Sequence, residues 1–360
     1  MTDTMSPSGL DQVKAYVELT KPRIVELLLV TTIPAMAVAA QGWPGLWPIL
    51  YALIGGTLSA GGANVINQVY DDDIDQVMAR TSGRPLPTDR VSKRAAVVFG
   101  IGLGVAGFVV LWIGTTLLAA VLSVVAYLLY VLVYTMLLKR STTQNIVLGG
   151  AAGAIPPLIG YAAVAGTLSS AAWVMFAIVF FWTPSHFWAL SLKYEDDYRA
   201  ASIPMLSVVA GEGPTLSQIL WYAVATAGVS LLLVPAAGMG AIYAVVAVVS
   251  ASALVVFAVR LVSDQGSAMK YFGITNVYLA LVFLAMLVDR VVLDSAVGGA
   301  ELWTTVGSVL VAGSLVMIVL QESKPGMRAE GVSPVRHVVE VGITVVFAVA
   351  LVISVWMVVL

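Results

Sequence analysis

Eleven apolar runs follow one another along this chain with short polar gaps between them. They lie near 24–41, 46–67, 95–113, 117–138, 146–165, 172–192, 219–236, 239–261, 273–291, 302–320 and 338–360. A helix needs about 20 mostly apolar residues to cross the hydrocarbon core of a bilayer. The pattern therefore predicts an all-α, polytopic transmembrane helix bundle. Composition agrees: 11% of residues are charged, against about a quarter in a soluble domain. The first run is read as a retained span, although Ala37-Val38-Ala39 faintly resembles a signal cleavage site. The near-neutral net charge of −2 offers nothing to nucleic acid, and the absence of cysteine removes disulfides, thiolate metal sites and cysteine nucleophiles together.

Charge predicts the orientation. With the N-terminus in the cytoplasm and alternating sides, the cytoplasmic segments carry Lys14, Lys21 and Arg23, then Arg80, Arg84, Arg90, Lys93 and Arg94. They continue with Lys139 and Arg140, Lys193 and Arg199, Arg260 and Lys270, and finally Lys324, Arg328 and Arg336. Of the 18 basic residues only Arg290 falls outside this set, which is the positive-inside signature. Both acidic loops, 71–94 and 193–218, then face the cytoplasm.

The end of the second run reads Asn64-Val65-Ile66-Asn67-Gln68-Val69-Tyr70-Asp71-Asp72-Asp73-Ile74-Asp75. Asn67, Asp71 and Asp75 recur every four residues, so they share one helix face. Clustered carboxylates repel unless a cation lies between them. Mg²⁺ takes one or two carboxylates and fills its shell with substrate phosphates, so this face suits a Mg²⁺–diphosphate complex. The bland alternative is a solvated acidic helix end. Acidic and amide groups entering a membrane helix favour the functional reading. Arg80 and the run Arg84-Pro85-Leu86-Pro87 follow, and arginine binds phosphate bidentately. For Arg90, Lys93 and Arg94 the preferred reading is membrane-surface anchoring. A second acidic segment, Lys193-Tyr194-Glu195-Asp196-Asp197-Tyr198-Arg199, falls on the same side.

These residues resemble a family. Asn67-x-x-x-Asp71-x-x-x-Asp75 with Arg84-Pro85-Leu86-Pro87 is similar to the first motif of the UbiA-type intramembrane prenyltransferases. Asp197 matches the last carboxylate of their second motif, whose first position is here Lys193. Within the family, several segments resemble the haem-farnesylating branch. They are Lys21-Pro22-Arg23, Gln144-Asn145-Ile146 with Gly149 to Ala154 and Pro156-Pro157, Trp182 to Leu190, Asp196 to Ala201, and Ile203-Pro204-Met205-Leu206. The resemblance covers about residues 18–292. It implies a cytoplasmic tail (1–23), a nine-helix prenyltransferase core (24–292) and a C-terminal extension of two predicted spans (293–360).

The resemblance further implies that farnesyl diphosphate and haem b, the haem as substrate, give haem O and diphosphate with Mg²⁺ as cofactor. Asn67, Asp71 and Asp75 are assigned to the metal, with Asp197 a second contributor. Arg80, Arg84, Lys139, Lys193 and Asn145 become candidates for substrate contact. Lys139 equally reads as an anchor, because Lys139-Arg140 closes the fourth run. Tyr70, Tyr134, Tyr194 and Tyr198 could line an allylic cation site, but the interfacial belt is preferred for most of them. His186 sits inside the sixth run, where a histidine is often functional. A haem-facing role is preferred over a helix–helix hydrogen bond beside Pro184, since imidazole is a common axial ligand. Gly149, Gly150 and Gly153 read as close helix packing. Haem A synthase or terminal oxidase assembly are partners by family analogy only. The rival readings are a quinone-precursor prenyltransferase, a cation-coupled transporter and a haem-binding structural subunit.

Overall fold

The computed structural model describes residues 9–293, 298–324 and 326–359; among these it does not describe the side chains of 23–29, 265 and 293. A short helix α1 (Gly9–Leu19) leads into α2 (Pro22–Ala40), α3 (Leu46–Tyr70), the single-turn α4 (Asp72–Val77) and α5 (Lys93–Gly114). α6 (Leu117–Leu128) continues as a π-helix over Leu129–Leu138. Next come α7 (Asn145–Ala154), α8 (Pro156–Ala165), α9 (Ser170–Lys193), α10 (Glu195–Ala200) and α11 (Leu206–Ala210). The remaining helices are α12 (Glu212–Ala237), α13 (Ala241–Ser263), α14 (Ala268–Val288), α15 (Ala300–Glu322) and α16 (Pro334–Val359). Among the described residues ten helices are long and apolar enough to cross a membrane, and Val30–Ala40 of α2 is a shorter apolar helix.

The apolar runs thus become helices, with two differences. The seventh begins at Glu212, seven residues before the apolar run, because α12 starts outside the hydrophobic stretch. The fifth is two helices end to end. Pro156 has no N–H to bond back to α7, so the ladder breaks there and α8 starts with proline in its first turn.

Hydrocarbon gives helices no hydrophobic reason to associate, so contact rests on close backbone approach and interhelical hydrogen bonds. α3 and α5 meet along a glycine seam. A Cβ at Gly62 would lie 2.5 Å from the Gly100 carbonyl oxygen, and one at Gly107 would lie 2.7 Å from that of Gly55. The outer faces are apolar, with Val98, Ile101 and Val105 of α5 and Val245 and Val249 of α13 exposed. α9 is buried along most of its length, from Ala171 to Trp182 save Trp173, and forms the centre of the bundle.

The two ends differ in chemistry. Trp43, Trp47, Trp112 and Trp173 are exposed at turns of one end, as an interfacial aromatic belt would be. Arg290 lies at that end too, its guanidinium donating to the Ala237 carbonyl. The opposite end gathers ion pairs, among them Glu18 with Arg90, Asp73 with Arg140, and Glu340 with Arg336.

Candidate active site

Three amides of α3 build the floor of the charged end. Asn64 Nδ2 donates to the Thr20 carbonyl (3.0 Å) and Gln68 Nε2 to that of Leu19 (2.6 Å). Both hold the turn between α1 and α2. In that turn Lys21 adopts a left-handed backbone, φ 52° and ψ 62°, a region uncommon for residues other than glycine. The turn aims its ammonium at Asn67 Oδ1, 2.8 Å away. Burial, then the nearby charges of Arg84 and Lys139, bring the Lys21 ammonium down to about 7 against the pull of Asp75 and Asp71.

Asn67, Asp71 and Asp75 are all buried; the helix expected to carry all three is interrupted at Asp71, with Asn67 in the last turn of α3 and Asp75 in α4. Asn67 Nδ2 donates to Asp71 Oδ2 (2.7 Å) and to Thr135 Oγ1 (3.1 Å). Lys139 Nζ reaches the same Asp71 oxygen at 2.5 Å. Arg84 Nη1 bonds both oxygens of Asp75, at 2.8 and 2.6 Å. Arg140 grips Asp73 with two hydrogen bonds of 2.7 Å, and this holds the Asp73 carboxyl below its usual range. Lys93, read as an anchor, pairs with buried Asp72 at 2.8 Å. Asn145 Nδ2 donates to the Lys139 carbonyl (3.2 Å).

Arg80 reaches the second acidic segment, its guanidinium lying over the Tyr194 ring at 5.5 Å. Lys193 itself is exposed, and Asp197 is half-buried without an ion pair among the described residues. The Arg23 side chain lies outside the described residues.

The fit of this site to a divalent cation rests on donor chemistry. Asn67, Asp71 and Asp75 offer hard oxygen ligands, and Asp71 Oδ1 is buried without a hydrogen bond, the nearest cation being Arg140 Nη2 at 3.6 Å. Three cationic side chains already crowd these carboxylates, as expected of acids that need a positive neighbour. Among the described residues no group of three or more His, Cys, Asp or Glu could hold a metal. A metal here would rely on two carboxylates, an amide and its substrate's oxygens, the habit of Mg²⁺.

A cavity of about 320 Å³ opens beside this cluster, lined mostly by apolar groups of α2, α3, α6 to α9 and α14. Asn64, one turn before Asn67, and Tyr130 and Tyr134, stacked at 5.5 Å, form its wall nearest the charges. These tyrosines belong to the π-helix, whose i→i+5 bond from Lys139 N to the Tyr134 carbonyl (2.8 Å) sets the winding. Tyr134 is therefore part of the cavity and not of an interfacial belt.

His186 lines the same cavity. Its ring lies between Trp182 (4.1 Å) and Phe272 (4.2 Å). Its Nδ1 is 2.6 Å from Thr275 Oγ1, whose single proton goes to the Phe272 carbonyl at 2.7 Å. With that proton on the Phe272 carbonyl, Thr275 Oγ1 is placed to accept from Nδ1–H, the tautomer that leaves the Nε2 lone pair free. Among the described residues Nε2 has no partner. The glycines divide. A Cβ on Gly149 would meet the Tyr134 ring at 2.3 Å and one on Gly150 the Thr183 side chain at 3.0 Å, while Gly153 has nothing within 4 Å. Gly153 therefore shapes the cavity rather than a helix contact.

Lys21, Tyr130, Thr135 and Thr275 are site residues that sequence reasoning missed. The Lys21-Pro22 pair marks a helix entry, since proline disfavours α-helical backbone in the residue before it, but the left-handed conformation of Lys21 is not signalled there. The other three look like ordinary span residues.

Residues 28–272 match the UbiA prenyltransferase family. A relative from Saccharopolyspora erythraea, named protoheme IX farnesyltransferase 1, is 52% identical over 283 residues, covering 77% of this chain and 90% of that protein. A protoheme IX farnesyltransferase from Thermus thermophilus is 49% identical over 77% of this chain and 46% of its own length, so the present chain spans about half of it. Among solved structures, digeranylgeranylglyceryl phosphate synthase superposes with a TM-score of 0.65 at 17% identity, over 78% of this chain and 99% of that one. A UbiA homolog from Archaeoglobus fulgidus bound to DMAPP and Mg²⁺ gives 0.53 at 14% identity, over 75% and 98%. Both share the fold.

Proposed function

The chain belongs to the UbiA prenyltransferase family, and we propose that it transfers farnesyl from farnesyl diphosphate to a vinyl group of haem b, giving haem O and diphosphate. The observation that carries this reading is the apolar cavity lined by His186 at one part and by Asn64, Tyr130 and Tyr134 at another, one helical turn from the buried Asn67 of the charged cluster. It offers an apolar wall for a prenyl chain beside a charged end for one diphosphate.

In this reading Asn67, Asp71 and Asp75 hold Mg²⁺, with Asp197 contributing. Bound there, Mg²⁺ neutralises the charge of the departing diphosphate as a Lewis acid. Lys139, Arg84 and Arg80 donate to the diphosphate oxygens, and the Lys21 ammonium supports Asn67. The C1–oxygen bond of farnesyl diphosphate breaks and the terminal vinyl carbon bonds to C1. Water adds to the vinyl carbon next to the porphyrin and gives up a proton. Tyr130 and Tyr134 present electron-rich faces to the positive allylic carbon, and the apolar wall excludes stray water. His186 would hold the haem iron through Nε2, with Asn145 fixing the Lys139 turn and Lys193 at the rim. Residues 24–292 form the catalytic core and 293–360 an added unit.

The charge distribution supports a bacterial cell membrane location with the site on the cytoplasmic side. An enzyme consuming haem O, such as haem A synthase, or oxidase assembly is the proposed partner. A cation-coupled transporter is not favoured, because the acids sit at helix ends and not at mid-span. The test is purified protein with haem b, farnesyl diphosphate and Mg²⁺, the product identified by mass, with Asp71→Ala beside it. Haem O from wild type and none from the variant is expected. Prenylation of a phenolic acid in place of haem would refute the substrate assignment.

A further inference from the structure

α15 and α16 lie beyond the residues that match the family, yet α16 carries a buried acid, Glu340. A buried carboxylate in a membrane helix is expensive and needs a purpose. Glu340 Oε2 accepts from Thr142 Oγ1 at 2.6 Å, and Glu340 Oε1 accepts from Arg336 Nε at 2.8 Å. Arg336 Nη2 also donates to Ser141 Oγ (2.9 Å), and Thr143 Oγ1 donates to the Met327 carbonyl (2.8 Å). Three consecutive residues of one turn are thus each held by the C-terminal unit. That turn begins at Lys139, which pairs with Asp71, and ends at Asn145, which bonds the Lys139 carbonyl.

The unit is itself firmly seated. Phe347 of α16 packs edge-on against Phe176 and Phe180 of α9, at 5.4 Å each. Gln218 of α12 donates to Glu322 Oε1 at 2.9 Å, and His337 Nε2 lies 3.2 Å from Glu322 Oε2. A Cβ on Gly307 would lie 2.8 Å from the Gly228 carbonyl, so α15 and α12 touch backbone to backbone. An anchored unit that holds a turn by three side-chain bonds, two of them from α16, restricts where that turn can place its lysine.

We propose that Glu340 and Arg336 are positioning residues: through Thr142 and Ser141 they hold the turn at 139–145 so that Lys139 is set against Asp71 and the diphosphate. The proposal rests on Lys139 being a diphosphate contact, as read above. The C-terminal unit is then a clamp on the diphosphate end of the site and leaves the haem end alone.

The test uses the full-length chain with Thr142→Val, Thr142→Ser and Glu340→Gln. Two quantities are read: calorimetric binding of inorganic diphosphate with Mg²⁺, and the KM for farnesyl diphosphate and for haem b separately. Thr142→Val loses one hydrogen bond to a charged group and is expected to weaken diphosphate binding and raise the farnesyl diphosphate KM about tenfold. The haem b KM stays within about twofold, Glu340→Gln follows the same pattern more weakly, and Thr142→Ser restores both values. Unchanged diphosphate binding in Thr142→Val and Glu340→Gln overturns the proposal. So does a parallel rise in both KM values with a lowered melting temperature, which marks a merely structural contact. A wild type that binds diphosphate but makes no haem product refutes the haem assignment and leaves the clamp standing if Thr142→Val still loses diphosphate. A wild type that binds no diphosphate overturns both.

Discussion

Thr275→Val is the most informative single change at the haem end. Val keeps the volume and removes Oγ1, the atom that accepts the His186 Nδ1 proton at 2.6 Å. The Thr275 carbonyl still accepts from Trp182 Nε1 at 2.8 Å, so the packing of α9 on α14 survives. What changes is the tautomer. With no acceptor at Nδ1 the proton can move to Nε2, and an Nε2–H imidazole cannot ligate iron. Loss of the hydrogen-bond partner of a metal-binding histidine typically costs about 10–100-fold in affinity, or about 1.4–2.8 kcal/mol. The assay is a titration of the purified protein with haem b, following the Soret band. Wild type should show an imidazole-ligated spectrum that His186→Ala abolishes. Thr275→Val should weaken binding by that factor and Thr275→Ser should restore it. A His186→Ala protein with unchanged spectrum and affinity would refute the ligation. An unaltered Thr275→Val would refute the tautomer argument.

Gly153→Leu places four carbons in open space at the cavity wall. It should abolish haem O formation while the melting temperature stays within a few degrees. Gly149→Ala, which drives a methyl into the Tyr134 ring, should lower it instead. The Lys93–Asp72 hydrogen bond raises the Lys93 ammonium above its ordinary 10.5. Its contribution to stability is thus fully present below pH 10.5 and lost as pH rises through the raised value. The melting-temperature gap between wild type and Lys93→Gln should persist from pH 7 to 10 and close above that; a constant gap would contradict the pairing. Because the chain has no cysteine, Ser82→Cys and Glu301→Cys are clean topology probes. An impermeant maleimide applied to intact cells should label Glu301→Cys alone, and the reverse would invert the orientation.

The spans and the Asn67–Asp71–Asp75 face were legible because each is a local pattern, one of hydropathy and one of helical period. The partners of that face were not. Lys21 and Lys139 reach it from 46 and 68 residues away, and nothing in their neighbours' sequence records the distance. Thr135 and Thr275 read as span residues because a threonine hydroxyl can satisfy itself on its own helix, as both do here. Only the second bond each hydroxyl makes reveals a role. Gly153 was misread for the opposite reason: small residues signal close packing and open space alike.

The π-helix over Leu129–Leu138 has a consequence for how this stretch tolerates change. With α-helical winding, the nine residues from Tyr130 to Lys139 make about two and a half turns, which would put the cavity tyrosine and the lysine on opposite sides. The wider winding brings them back into phase, so that both face α3. The segment works as a phase shifter, and its winding matters more than most of its letters. Side chains facing lipid there, such as Leu132 and Leu137, can be exchanged freely for other apolar residues. Substitutions that imposed α-helical winding on the unshortened segment would turn Lys139 about half a turn away from Asp71, erasing a site whose every ligand is still encoded.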